Sequence, residues 1–260
     1  MTDTPPPDKT MEGEKPPLRR RMHIVQLLPN LISILALCAG LTAIRMAVDG
    51  QFGWAVALIG LAAALDGIDG RLARMLKSES EIGAELDSLC DLVNFGVTPA
   101  LVLYYWGLRQ DTSLGWIAVL IYAVCCMLRL ARFNVDSRLP DSDDKPKGFV
   151  GVPAPAGAML ALGPIYLAYA VDGAFHPAPW AVSLWMVFVG ALMISRIPTP
   201  SFKGVKIYAE YARFILVGSV ALVAALLTYP WVTLLLLDLV YLAGILVVWR
   251  RSAKSLRSVV

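Results

Sequence analysis

Charge is scarce in this chain: Asp, Glu, Lys and Arg make up 17% of 260 residues, against 57% apolar. With a mean hydropathy of +0.63, that scarcity excludes an ordinary soluble domain and points to a polytopic membrane protein. Histidine occurs twice and cysteine four times. Cys38, Cys90, Cys125 and Cys126 sit in apolar runs without C-x-x-C or Cys/His spacing, so neither a zinc centre nor a disulfide framework is expected and the cysteines read as packing residues. There is no G-x-x-x-x-G-K-S/T run and no G-x-G-x-x-G after a strand, so a nucleotide would have to be held by other means. The net charge is only +3, and no nucleic-acid partner is expected.

The charge that is present is unevenly placed. Residues 1–22 are rich in proline and charge and lack an apolar period, which predicts a disordered cytoplasmic tail. Arg19, Arg20 and Arg21 then meet an apolar run too long for a signal-peptide core and without a small-x-small cleavage site, so an uncleaved first helix is expected. At about 20 apolar residues per span, helices are expected near 25–47, 53–76, 83–107, 114–134, 153–171, 178–195, 210–228 and 231–249. The fold class is therefore an all-α transmembrane bundle of about eight spans, a membrane domain over 23–251 with a basic tail at 252–260. The last two spans should meet in a tight hairpin, or in one bent element, at Pro230. Lysine and arginine concentrate in the N-terminal tail, the even-numbered loops and the C-terminus, while the odd loops are nearly bare apart from Arg109. That asymmetry predicts an even number of spans with both termini cytoplasmic.

One stretch breaks the apolar pattern. "LDGIDGRLARMLKSESEIGAELDSLCDL", residues 65–92, holds Asp66, Asp69, Asp87 and Asp91. Three and four residues apart, each pair lines one face of a helix. Gly83 is expected to let the chain turn and re-enter the membrane, which would make the two helices antiparallel neighbours. Four carboxylates converging in low dielectric repel one another unless a cation neutralises them. An oxygen-only donor set favours Mg²⁺, Mn²⁺ or Ca²⁺ over zinc, and four carboxylates can bridge two divalent cations in an arrangement suited to phosphoryl transfer. Gly67 and Gly70 leave room for a ligand on the acidic face, Gly70 with Ala73 offers a small surface, and Arg74 offers a planar fork to phosphate. A single acid near a span end is usually a solvated interface residue, and Asp238 and Arg45 are placed in that class.

These residues stand as D66-x-x-D69-G70-x-x-A73-R74, eight residues, then G83-x-x-x-D87-x-x-x-D91. The pattern resembles the signature of the CDP-alcohol phosphatidyltransferase family, with every fixed position filled. The resemblance implies an integral membrane enzyme, usually homodimeric, that binds two divalent cations and a CDP-linked lipid at the cytoplasmic face, where an alcohol hydroxyl attacks the lipid-side phosphorus and CMP leaves. It makes Asp66, Asp69, Asp87 and Asp91 metal ligands and Asp91 the general base. Gly70, Ala73, Arg74 and Gly83 would contact or make room for the CDP group. The surrounding "LDSLCDLVNFGVTPALVLY", "RLARFNV", "GVPAPAGA" and "SRIPTPSFK" resemble the family's phosphatidylserine-forming branch, which implies CDP-diacylglycerol and L-serine as substrates; Asn94 stands where that branch suggests serine.

A zwitterionic acceptor needs a cation for its carboxylate. Arg129 and Arg132, three apart with Asn134 nearby, are equally suited to that role and to anchoring the span end. Asn94 is a further candidate for the same pocket. Lys203 and Lys206 read as facing lipid headgroups. Sister transferases using glycerol-3-phosphate, an inositol phosphate or choline remain alternatives; a phosphorylated acceptor would require an extra phosphate cluster and choline an aromatic box. A divalent-cation transporter would also want intramembrane acids, but near the midplane on broken helices and without Arg71 and Arg74 beside them.

Overall fold

The computed structural model describes residues 27–76, 80–109, 112–138, 149–171, 176–195, 198–199 and 212–257. The expected N-terminal tail, the loop at 139–148, and Lys203 and Lys206 lie outside them. The helices are α1 (Leu28–Val48), α2 (Phe52–Leu76), α3 (Glu81–Asp91), α4 (Thr98–Leu103), α5 (Thr112–Arg138), α6 (Ala154–Ala161), α7 (Gly163–Ala170), α8 (Pro179–Ile194), α9 (Ala212–Thr228) and α10 (Pro230–Arg257). Among the described residues, five helical stretches are long and apolar enough to cross a membrane: Leu28–Val48, Phe52–Leu76, Ile82–Leu108, Ser113–Asp136 and Pro230–Arg250. Three shorter apolar stretches, Ala154–Ala170, Pro179–Ile194 and Arg213–Thr228, fall where the remaining spans are expected. The protein is an all-helical integral membrane protein. Its β-structure among the described residues is one two-residue antiparallel pair, β1 (Phe149–Val150) with β2 (Pro198–Thr199).

Helices α1 and α2 form a hairpin whose turn requires Gly50, at φ +75°, a region that side chains with a Cβ rarely adopt. Small residues let the two backbones approach: Ala36, Ala39, Ala43 and Ala47 of α1 are buried, as are Ala55, Ile59 and Ala62 of α2. The third span is a single rod in which α3 and α4 are joined by a π-helical turn at Leu92–Val97, with a second such turn at Tyr104–Leu108. Pro99 lacks the N–H that would reach the Phe95 carbonyl, and the buried hydroxyl of Tyr122 on α5 donates to that oxygen instead, at 3.0 Å.

The same compensation divides the fifth span. It is expected as one helix and is found as two, α6 and α7, because Pro164 cannot donate to the Leu160 carbonyl. The indole Nε1–H of Trp185 on α8 donates to that carbonyl at 2.8 Å. At the break, a side chain on Gly163 would meet Trp185 and the Asp238 carboxylate of α10. Asp238 is only 8% exposed, so the expectation of a solvated interface residue is corrected: α10 turns it inward against α7. Arg45 stays at the surface, 4.0 Å from Asp49. At Pro230, Tyr229 alone separates α9 from α10.

Candidate active site

The four aspartates come from two helices, α2 and α3, and both pack against α1. Carboxylate oxygens of Asp66, Asp69 and Asp87 lie within 4.8 Å of one another. The Asp91 carboxyl lies beside that of Asp66. All four expected acids are thus brought together across α2 and α3.

Asp69 is the most enclosed of them, at 3% exposure. Its Oδ2 accepts a 2.6 Å hydrogen bond from the Ser33 hydroxyl of α1, while its Oδ1 is buried without a partner among the described residues. A buried carboxylate oxygen left unsatisfied beside two further carboxylates is costly unless a cation completes it. With oxygen donors alone, the three acids are compatible with a divalent metal ion.

Ser33 was not among the expected site residues. Its signal is faint: one hydroxyl in an otherwise apolar helix, of a kind that often bonds only to its own backbone, as Ser33 also does to Pro29 at 3.2 Å. Asn30, one turn before it, comes close to Gly83: a Cβ added to Gly83 would lie 3.0 Å from its Oδ1. Gly83 itself is corrected. It lies inside the first turn of α3 rather than at the reversal, its N–H bonded at 3.0 Å to the N-cap hydroxyl of Ser80. A Cβ there would also lie 3.0 Å from Ser80 Oγ, so the missing side chain eases the approach of α3 to α1.

Gly67 and Gly70 are different. Among the described residues, a Cβ at either position would meet nothing within 4 Å, which leaves open space on α2 next to Asp66 and Asp69. Ala73 is half-buried on the same helix. Arg74 is exposed and its Nε donates to the Gly70 carbonyl at 2.9 Å, which folds the guanidinium back along α2 toward that space.

The four residues expected around an acceptor are separated. Arg129 on α5 is within electrostatic reach of both Asp66 and Asp91. Arg132, one turn on, donates from Nη1 to the Ile194 carbonyl at the end of α8, at 3.2 Å. Asn134 donates to Ser88 Oγ at 2.9 Å, and Ser88 in turn donates to Ala84 O at 3.0 Å, so Asn134 ties α5 to the acid-bearing helix. Asn94 is 1% exposed and fills the notch that Gly40 leaves in α1. Arg132 and Asn134 thus join helices, Asn94 fills a packing notch, and Arg129 lies within electrostatic reach of the acids.

The profile of the CDP-alcohol phosphatidyltransferase family matches residues 26–195, which include every residue of this cluster. A CDP-diacylglycerol–serine O-phosphatidyltransferase of Mycobacterium leprae is 42% identical over 233 residues, covering 88% of this chain and 76% of that protein. A protein of the same name from Helicobacter pylori is 34% identical, covering 69% of this chain and 74% of its own length. One from Bacillus subtilis is 35% identical, covering 68% and 91%.

Proposed function

The chain belongs to the CDP-alcohol phosphatidyltransferase family, and from that membership we propose that it transfers the phosphatidyl group of CDP-diacylglycerol to the hydroxyl of L-serine, giving phosphatidylserine and CMP. The observation that carries the reading is the convergence of Asp66, Asp69 and Asp87 within 4.8 Å, with Asp91 beside Asp66, in a chain 42% identical to a relative named for that reaction.

In the reaction the serine oxygen forms a bond to the lipid-side phosphorus and the bond from that phosphorus to the CMP oxygen breaks. Asp91, at the edge of the cluster, takes the hydroxyl proton as the nucleophile forms. Asp66, Asp69, Asp87 and Asp91 would hold two divalent cations, Mg²⁺ or Mn²⁺. Bound there, such ions offset the negative charge of the pyrophosphate and of the oxygen that leaves. The open face at Gly67 and Gly70 lets the pyrophosphate approach the α2 backbone, with Ala73 keeping that surface small. Arg74, released from Gly70, supplies a charged fork to a phosphate. Gly83 contributes indirectly by allowing α3 to lie close to α1.

Arg129 is the acceptor's carboxylate partner in this reading, since it lies within electrostatic reach of Asp66 and Asp91. The basic residues of the even loops support a cytoplasmic active site, and a homodimer is the assembly that the family resemblance suggests.

The test is incorporation of labelled L-serine from CDP-diacylglycerol by purified protein with Mn²⁺ or Mg²⁺, alongside glycerol-3-phosphate, inositol phosphate and choline. Phosphatidylserine and stoichiometric CMP are expected. Turnover with another acceptor alone would overturn the serine assignment.

A further inference from the structure

Successive residues of a helix point about 100° apart, so Asp87 and Asp91 meet Asp66 and Asp69 only while α3 keeps one rotation about its axis. Helix α3 spans no more than Glu81–Asp91 and packs on α1, close to it at Gly83, where a Cβ would lie 3.0 Å from Asn30 Oδ1. Farther along, between the two acids, α3 is held from another side. Ser88 Oγ accepts a hydrogen bond from Asn134 Nδ2 of α5 at 2.9 Å and donates to the Ala84 carbonyl one turn back at 3.0 Å. Asn134 Oδ1, 3.1 Å away, is an alternative acceptor for the same proton, so the bond from Nδ2 stands whichever way the hydroxyl turns. Both side chains are half-buried, and hydrogen bonds of this kind fix how membrane helices sit against one another. Helix α5 is itself packed on α8 and on the π-helical turn Leu92–Val97 that continues α3. Ser88 is therefore tied to a part of the bundle that is anchored elsewhere.

We propose that Ser88 and Asn134 are positioning residues of the metal centre: the bond between them fixes the rotation of α3 and keeps Asp87 and Asp91 turned toward Asp66 and Asp69. Their role rests on the reading of these acids as divalent-cation ligands and extends it to a residue of α5 that supplies no ligand. Ser33 bonds the Asp69 carboxylate directly, whereas Ser88 acts through the helix that carries two of the acids. Ligands contributed by two helices bind a cation well only if both helices are already in place, because any freedom left to α3 must be lost when the ion arrives. Asn134, expected from the sequence to meet the acceptor, is assigned instead to the metal side of the site.

The test is direct binding of Mn²⁺ to metal-stripped, full-length protein without substrates, read from the electron paramagnetic resonance signal of the free ion. Ser88→Ala and Asn134→Ala should each weaken binding about tenfold, the low end of what losing a partner behind a metal ligand costs, while Ser88→Thr, which keeps the hydroxyl, should stay within about twofold of wild type. The double Ala variant should bind no worse than the weaker single one, because both substitutions remove the same bond. At saturating Mn²⁺ the serine KM of Asn134→Ala should match that of wild type. Wild-type Mn²⁺ affinity in both Ala variants overturns the proposal, even if their thermal midpoints fall, as does a Thr variant as weak as Ala or a double variant whose losses add. A raised serine KM with wild-type Mn²⁺ affinity overturns it too, and returns Asn134 to the acceptor. Wild-type protein that binds no Mn²⁺ overturns the metal-ligand reading and this extension together, whereas binding by wild type with indifferent Ala variants overturns the extension alone.

Discussion

Ser33 on α1 donates a 2.6 Å hydrogen bond to Asp69 Oδ2 on α2, and both side chains are buried. The bond holds one oxygen of this carboxylate, a member of the cluster with Asp66 and Asp87, against α1, and the other is buried without a hydrogen-bond partner among the described residues. α1 contributes no acid to the cluster, yet it orients the most enclosed one. A ligand so fixed loses little rotamer freedom when a cation arrives.

Ser33→Ala should therefore weaken divalent metal affinity by about 10- to 100-fold. A titration of turnover with Mn²⁺ should shift its midpoint by that factor, while the rate at saturating metal stays within a few-fold of wild type. An unchanged midpoint would mean that the hydroxyl serves only the Pro29 carbonyl.

Asp91→Asn keeps the size of the side chain and removes its capacity to accept the serine proton. Turnover should fall by about 10² to 10⁴, with CDP-diacylglycerol binding largely retained. Binding can be read by protection from thermal unfolding at graded lipid concentration. Equal loss of turnover and binding would remove the assignment of Asp91 as base and leave it as a ligand alone.

Two glycines should respond oppositely to a side chain. Gly70→Val adds atoms to open space beside the acids, so its thermal midpoint should stay near wild type while the KM for CDP-diacylglycerol rises about tenfold or more, on the order of the tenfold that 1.4 kcal/mol represents. Gly40→Ala would drive a methyl into the buried Asn94 carboxamide, and overpacking of that kind costs about 1–3 kcal/mol. Its expected signature is a lower thermal midpoint with unchanged substrate KM values in the remaining folded protein.

Chelation should abolish turnover, and added Mn²⁺ or Mg²⁺ should restore it. Zn²⁺ should restore it poorly, since the cluster offers carboxylates without thiolate or imidazole. Full turnover after exhaustive chelation would contradict the whole arrangement of Asp66, Asp69, Asp87 and Asp91.

Much of this was readable along the chain because it depends on local spacing. Aspartates three and four apart must share a helix face, and a 57% apolar composition must seek lipid or a core; the helix break at Pro164 lies inside a stretch expected as one span. Periodicity does not say which distant residue takes what a helix offers. That Tyr122 and Trp185 receive the released carbonyls, that Ser33 holds Asp69, that Arg132 and Asn134 join helices while Arg129 lies within electrostatic reach of the acids, and that α10 turns Asp238 inward all follow from how helices far apart in the chain pack. In each case the partners are separated by tens of residues, so their meeting depends on helix positions and rotations that no single segment encodes.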